Sequence, residues 1–193
     1  MANRGIFGGT FDPPHLGHLI IAEHIARRRR LNVVTWVPSK TPVHKNPDEI
    51  SPAENRLEMV RLATEGNPLF EVSDIEFSAE QPPWTVDLLE YFRARYPEDK
   101  LFFIIGGDSL YELPTWKNYK RLWEFTEIDV APRPGWNIFA ADHEVLANVR
   151  IVRCPIVSIS ASWIRELVRR GESIRYLVTE PVRKYIIEKK LYI

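Results

Sequence analysis

The apolar positions fall into short runs separated by glycine, proline and charge, and the spacing within each run decides what it becomes. Arg4 to Gly8 is apolar around Ile6 and Phe7 and closed by glycine, the pattern of a buried first strand. From His15 to Arg30, Leu16, Leu19, Ile20, Ala22, Ile25 and Ala26 recur at helical spacing, and the β-branched and aromatic run Val33 to Val37 predicts a second strand. Strand, helix, strand in so few residues is a βαβ unit, which implies a parallel sheet and a right-handed crossover. Ser51-Pro52-Ala53-Glu54 offers an N-cap, a first-turn proline and an acidic first turn for a helix that runs to Glu65, before Gly66-Asn67-Pro68. Phe70 to Val72 begins an extended segment that Ile75 to Phe77 continues by alternation, and a helix starts at Trp84 and ends before Pro97. Leu101 to Ile105 is the most continuous apolar run, a central strand buried on both faces. A helix closes at Leu122 to Phe125, Ile128 to Ala131 is a further strand, residues 136–149 form an irregular surface connection, and Arg150 to Arg153 is the last strand.

This alternation predicts an α/β fold, a three-layer Rossmann-like parallel sheet with helices on both faces, whose ligands sit at the carboxyl ends of the strands. A chain of 193 residues is expected to bury one core, so a single domain spans 1–193, with a helical part from about residue 158. Hydrophobic residues at 45% and charged residues at 27% are ordinary globular values and suggest neither disorder nor a membrane class. With 26 basic and 26 acidic residues the net charge is zero, which argues against a surface built to coat nucleic acid but allows a local basic pocket for a polyphosphate. Arg27 to Arg30 is accordingly read as a solvated helix end whose cations complement the dipole. The single cysteine, Cys154, excludes an intramolecular disulfide and a multi-cysteine metal site, and makes a reducing, cytoplasmic location the simplest expectation. Neither a leader-like start nor an apolar run of membrane-spanning length is present in the sequence.

The chemistry concentrates where strand gives way to helix. Gly8-Gly9-Thr10-Phe11-Asp12-Pro13-Pro14-His15-Leu16-Gly17-His18 reads as strand end, glycine turn and helix start, where free amides and the helix dipole favour a phosphate. His15 and His18, three residues apart, share one face of the first turn. A second glycine turn, Gly106-Gly107-Asp108, ends the central strand with a carboxylate suited to a ribose hydroxyl. Ser158-Ile159-Ser160-Ala161-Ser162 caps a further helix, a second anion-ready terminus, with Arg165 one turn in. Residues Pro38 to Pro47 are polar and proline-rich, a substrate loop overhanging the carboxyl ends. Walker A, G-x-G-x-x-G and H-E-x-x-H patterns are absent from the sequence, and His24 and His44 complete no convincing zinc set. No cysteine or serine stands in a nucleophile setting beside the two histidines, which suggests direct transfer without a covalent enzyme intermediate.

The first motif resembles the GTFDPxHxGH signature of the (H/T)xGH nucleotidyltransferases, and the whole chain is similar to the bacterial nicotinate-nucleotide adenylyltransferases. Further segments carry the likeness. Pro42-Val43-His44-Lys45 resembles the family's PPHK, Gly107-Asp108 through Thr115-Trp116 its GxDs-L-x-x-L-x-TW, and Pro132-Arg133-Pro134-Gly135 its RPG turn. Ile159 to Arg165 resembles ISxTxxR, with Ser162 where threonine is usual. Where the family shows Ser-Tyr-Thr-x-Asp-Thr-Leu, this chain has Pro83-Trp84-Thr85-Val86-Asp87-Leu88-Leu89, which keeps Thr85 and Asp87.

The resemblance implies a fold of nucleotidyltransferase type and transfer of AMP from ATP to nicotinate mononucleotide, giving nicotinate adenine dinucleotide and pyrophosphate. The acceptor phosphate is already a nucleophile, so catalysis is alignment and charge stabilisation. His18 and His15 are assigned to the α-phosphate oxygens and departing pyrophosphate, and Arg165 with Ser160 to the β and γ groups. Gly8, Gly9, Thr10, Phe11, Gly106, Asp108 and Ser162 complete the ATP side. His44, Lys45, Thr85, Trp116 and Arg133 are assigned to the mononucleotide, Trp116 by stacking on its pyridine ring. A magnesium ion is expected with ATP, and no metal site of the protein's own. Expected partners are the two nucleotides, neither nucleic acid nor membrane, with self-association left open. Phosphopantetheine, nicotinamide-mononucleotide and cytidylyl transferases share the first motif, whereas Thr85, Asp108, Trp116 and Arg133 favour a pyridine mononucleotide. No cation in the sequence can be pinned to the pyridine carboxylate, so acid and amide stay open. A nucleotide-binding regulator without chemistry is the reading from another class, and the two histidines with Arg165 speak against it.

Overall fold

A computed structural model of the chain describes residues 1–42, 49–78, 82 and 84–193. Its strands are β1 (Asn3–Gly9), β2 (Val33–Pro38), β3 (Phe70–Val72), β4 (Lys100–Gly106), β5 (Glu127–Ala131) and β6 (Val149–Ile151). They form one sheet in the order β3-β2-β1-β4-β5-β6, and every pairing is parallel. The helices are α1 (Leu16–Arg29), α2 (Ala53–Thr64), α3 (Thr85–Arg95), α4 (Gly107–Glu112), α5 (Leu122–Phe125), α6 (His143–Ala147), α7 (Ala161–Arg169) and α8 (Glu180–Glu188).

Side-chain alternation along β4 explains why its apolar run is unbroken. Leu101, Phe103 and Ile105 pack with Ile6, Leu89, Phe92 and Ile128 on the face covered by α3 and α5. Phe102 and Ile104 pack with Phe7, Ile25, Trp36 and Val60 on the opposite face, under α1 and α2. Both faces of a central parallel strand are dry, so each of its positions must be apolar. A third cluster joins α7 and α8 to α2 through Met59, Ala63, Ile164, Val182 and Ile186. The chain winds outward from β1 through β2 to β3, then returns to β4 beside β1 and winds the other way. The carboxyl ends of β1 and β4 therefore flank the switch point where a crevice opens. Among the described residues no helix is long and apolar enough to cross a membrane.

Five sequence expectations are corrected. Ser51 does not cap α2. Pro52 holds that position, because the Ser51 amide is bound by Asp12 Oδ2 at 3.2 Å and its carbonyl by Arg56 Nε at 3.1 Å. Ile75–Phe77 is a 3-10 turn rather than more strand, since pairing with β2 ends where Ser73 N–H reaches the Trp36 carbonyl and Phe77 N–H turns back to Asp74. The stretch 136–149 is not merely irregular: it holds a 3-10 turn and α6, capped by the Asp142 carboxylate, and it buries Ile138, Ala141 and Val145. The last strand begins at Val149 and ends at Ile151, with Val152 N–H still reaching the Val130 carbonyl. Finally, Arg29 is not solvated. Its guanidinium lies 2.9 Å from the buried Asp129, also pairs with Glu127, and covers the Phe102 ring.

Candidate active site

A cleft of about 1270 Å³ opens at the carboxyl ends of the strands, and every sequence-predicted site residue among those described lines it. His44 and Lys45 lie outside the described residues. Two stations face each other across the switch point, one built on β1 and one on β4.

The β1 station begins with the glycine turn. A side chain at Gly9 would crowd the Phe11 ring, which stands 3.0 Å from where its Cβ would be. Phe11 adopts a left-handed backbone with φ 50° and is buried against Phe7, Trp36 and His18, which turns the chain away from the sheet and into α1. His15 caps α1 from an extended conformation rather than sitting within its first turn, and His18 is the third helical residue. The two imidazoles stack with centroids 3.6 Å apart and planes 21° from parallel. Gly17 permits this, since a Cβ at that position would meet His15 Nδ1 at 3.0 Å.

The hydrogen bonding sets the protonation of the pair. His18 Nδ1 accepts the His15 backbone N–H at 3.2 Å, so in a neutral ring the proton is on Nε2. Burial, then the charges of His15 and Arg133, hold the His18 pKa well below 6.5, and burial with Arg133 lowers that of His15 to about 3. The pair is therefore neutral at physiological pH and offers N–H donors rather than acid. Both ring nitrogens of His15 are buried without a partner among the described residues, an unmet capacity in a ring that lines the cleft.

Arg165 and Ser160 close this station from α7. Ser160 caps the helix, its Oγ accepting the Trp163 N–H at 3.2 Å and lying 3.2 Å from Ser162 Oγ. Arg165 donates from Nη1 to the Asp12 carbonyl at 2.8 Å, while its buried Nε has no partner among the described residues.

The β4 station is made of Gly106, Asp108, Arg133, Trp116 and Thr85. A Cβ on Gly106 would collide with the Asp108 carboxylate, which is paired with Arg133 Nη1 at 2.5 Å. These two residues, assigned separate ligand groups from the sequence, thus pair with each other. Trp116 follows the 3-10 turn Leu113–Thr115 and sets its ring edge-on to Phe103 with centroids 6.3 Å apart. It is both a core residue and a wall of the cleft. Thr85 is the first residue of α3. Among the described residues there is no group of three or more His, Cys, Asp or Glu side chains that could hold a metal ion.

Sequence reasoning missed several residues that shape the cleft. Trp84 and Trp136 stand partly exposed at its rim, Lys117 lying over the first ring at 5.0 Å and Tyr111 tilted against the second. Arg56, fully buried in α2, donates to the carbonyls of Thr10, Ser39, Lys40 and Ser51 and so ties the glycine turn to the segment after β2. Glu76 accepts the Lys40 N–H at 2.8 Å, and burial raises its carboxyl pKa. An arginine within an amphipathic helix reads as surface, and no local signal distinguishes Arg56.

Residues 6–167 match the family model described as cytidylyltransferase-like. A protein of Exiguobacterium sibiricum named "Probable nicotinate-nucleotide adenylyltransferase" is 44% identical over 188 residues, covering 97% of each chain. One of the same name from Geobacillus thermodenitrificans is 41% identical over all of this chain and 87% of its own. Among solved structures, a Plasmodium falciparum nicotinic acid mononucleotide adenylyltransferase complexed with NaAD superposes with a TM-score of 0.82 at 20% identity, over 100% of this chain and 98% of that one. The structural likeness speaks to the fold, and the sequence likeness to the family.

Proposed function

The chain belongs to the cytidylyltransferase-like family and, within it, to the nicotinate-nucleotide adenylyltransferases, and from that premise we propose that it transfers AMP from ATP to nicotinate mononucleotide, releasing pyrophosphate. The observation that carries this reading is the pairing of stations in one cleft: a glycine turn with stacked histidines, and an aromatic wall beside the Asp108–Arg133 pair.

The acceptor phosphate needs no general base, so the protein's part is to align it with the α-phosphorus and to steady charge on the oxygens. His18 Nε2–H donates to an α-phosphate oxygen, and His15 offers a second donor beside it. As negative charge gathers on the departing pyrophosphate, Arg165 and the α7 amides capped by Ser160 stabilise it. The polyphosphate's own charge favours protonation of the two rings, which the cleft otherwise keeps neutral. Trp116 stacks on the pyridine ring, Thr85 and Arg133 hold the acceptor, and Asp108 exchanges its pairing with Arg133 for a ribose hydroxyl. A magnesium ion bound with ATP would neutralise part of the phosphate charge.

Mixing the purified protein with ATP and nicotinate mononucleotide tests the reading. Pyrophosphate and the dinucleotide should form together, and faster than with nicotinamide mononucleotide at equal concentration. Equal or greater use of the amide would overturn the acceptor assignment, and no pyrophosphate with either would overturn the reaction.

A further inference from the structure

Asp12 lies in the glycine turn at 2% exposure, and all three of its oxygens are engaged within the protein. Its carbonyl accepts Arg165 Nη1 at 2.8 Å, its Oδ2 accepts the Ser51 amide at 3.2 Å and stands 3.8 Å from Arg165, and its Oδ1 accepts the Tyr192 hydroxyl at 2.7 Å. That last bond joins residues 180 apart in sequence, between the phosphate turn and the segment after α8. The segment is itself held fast. Leu191 packs into the cluster shared by α2, α7 and α8, and its amide returns to the Ile186 carbonyl. Tyr192 takes a left-handed backbone, φ 67°, a conformation unfavourable for a non-glycine residue, which here brings the ring beneath the turn. Burial, then the Asp12 charge, push its pKa up, so the hydroxyl remains a donor throughout the range of any assay.

A tail that merely filled space would need the ring of Tyr192 and not its oxygen. We propose that Tyr192 is a positioning residue for catalysis: its hydroxyl fixes the Asp12 carboxylate, and through it the peptide carbonyl against which Arg165 is set. Without that bond Asp12 Oδ1 is a buried acceptor with no donor, the carboxylate is held by the Ser51 amide alone, and the carbonyl that seats Arg165 is free to shift. The inference rests on the reading of Arg165 as a phosphate-binding group.

A double-mutant cycle on turnover tests it, with Tyr192→Phe, Arg165→Gln and the double variant, and with melting temperatures to verify folding. Tyr192→Phe is expected to lower kcat about tenfold, as sub-ångström misplacement of a phosphate ligand does, with the KM for nicotinate mononucleotide changed less than about twofold. In the Arg165→Gln background the same change should cost less than about twofold, because the group it positions is gone. Asp12→Asn, which keeps the carboxylate's shape but turns one acceptor into a donor, should behave the same way and serves if the phenylalanine variant fails to fold. Equal losses in both backgrounds would make Tyr192 structural only and overturn the proposal, as would unchanged kcat in Tyr192→Phe. If Arg165→Gln alone retained full turnover, the assignment of Arg165 would fall instead, and this inference with it.

Discussion

Acidification should draw stability out of the fold through the buried histidine pair, and the share carried by His15 can be isolated. His15 is 3% exposed with both nitrogens unpartnered among the described residues, and burial followed by the Arg133 charge lowers its pKa from 6.5 to about 3. Between those values a proton binds the unfolded chain and not the native one, so stability is complete above the window and lost as the pH falls into it. Going from about pH 7.5 to about pH 5 therefore costs roughly 2 kcal/mol from this residue alone. For a chain of this size that is a fall in Tm of roughly 4–8 °C. Because other groups titrate too, the informative quantity is a difference. Calorimetry of the wild type and His15→Gln at both pH values should show the wild type losing more, by that amount. Falls that agree within about 1 °C would mean that His15 takes up its proton as readily folded as unfolded, and the desolvated histidine pair would be refuted.

Three other outcomes follow from the same geometry. His18→Ala should cut turnover at least about a hundredfold, measured as pyrophosphate release, while losing only about 1 kcal/mol of stability with the His15 amide bond; a folded variant with near-full turnover would contradict the role of Nε2. Arg56→Met, which strips one buried and three part-buried carbonyls of a donor, should lower unfolding free energy by about 3 kcal/mol in urea titrations, and a loss below about 1 kcal/mol would show that those carbonyls are satisfied without it. Trp116→Leu keeps an apolar side chain against Phe103 but removes the flat face, so the KM for the mononucleotide should rise about tenfold with that for ATP unchanged, and equal effects on both would remove Trp116 from the acceptor station.

The parts of the fold that were legible in the sequence are those governed by local pattern. β1, β2, β4 and β5 announce themselves as largely apolar runs, two of them stopped by glycine, because a parallel sheet is covered on both faces and admits a polar side chain only where a partner is supplied, as Arg29 is for Asp129. Both glycine turns and the α7 cap were readable for the same reason: a close backbone approach and an uncapped helix end each demand particular residues. What escaped was set by distant partners. Ser51 looks like a cap until Asp12 and Arg56 claim its backbone, and Arg29 looks solvated until β5 places Asp129 under it. The mutual pairing of Asp108 with Arg133, and of Asp12 with Tyr192, likewise needs the tertiary fold. α6 is a different case, since the Asp142 that caps it is an N-terminal helix signal present in the sequence and overlooked among polar neighbours.

Where the triphosphate lies decides the role of the β1 turn. A crystal structure with an ATP analogue whose α–β bridge is methylene would test it directly. The α-phosphate should lie within hydrogen-bond reach of His18 Nε2, and the terminal groups beside Arg165 and the amino end of α7. A nucleotide seated away from the stacked histidines, with the β1 turn untouched, would contradict the central claim.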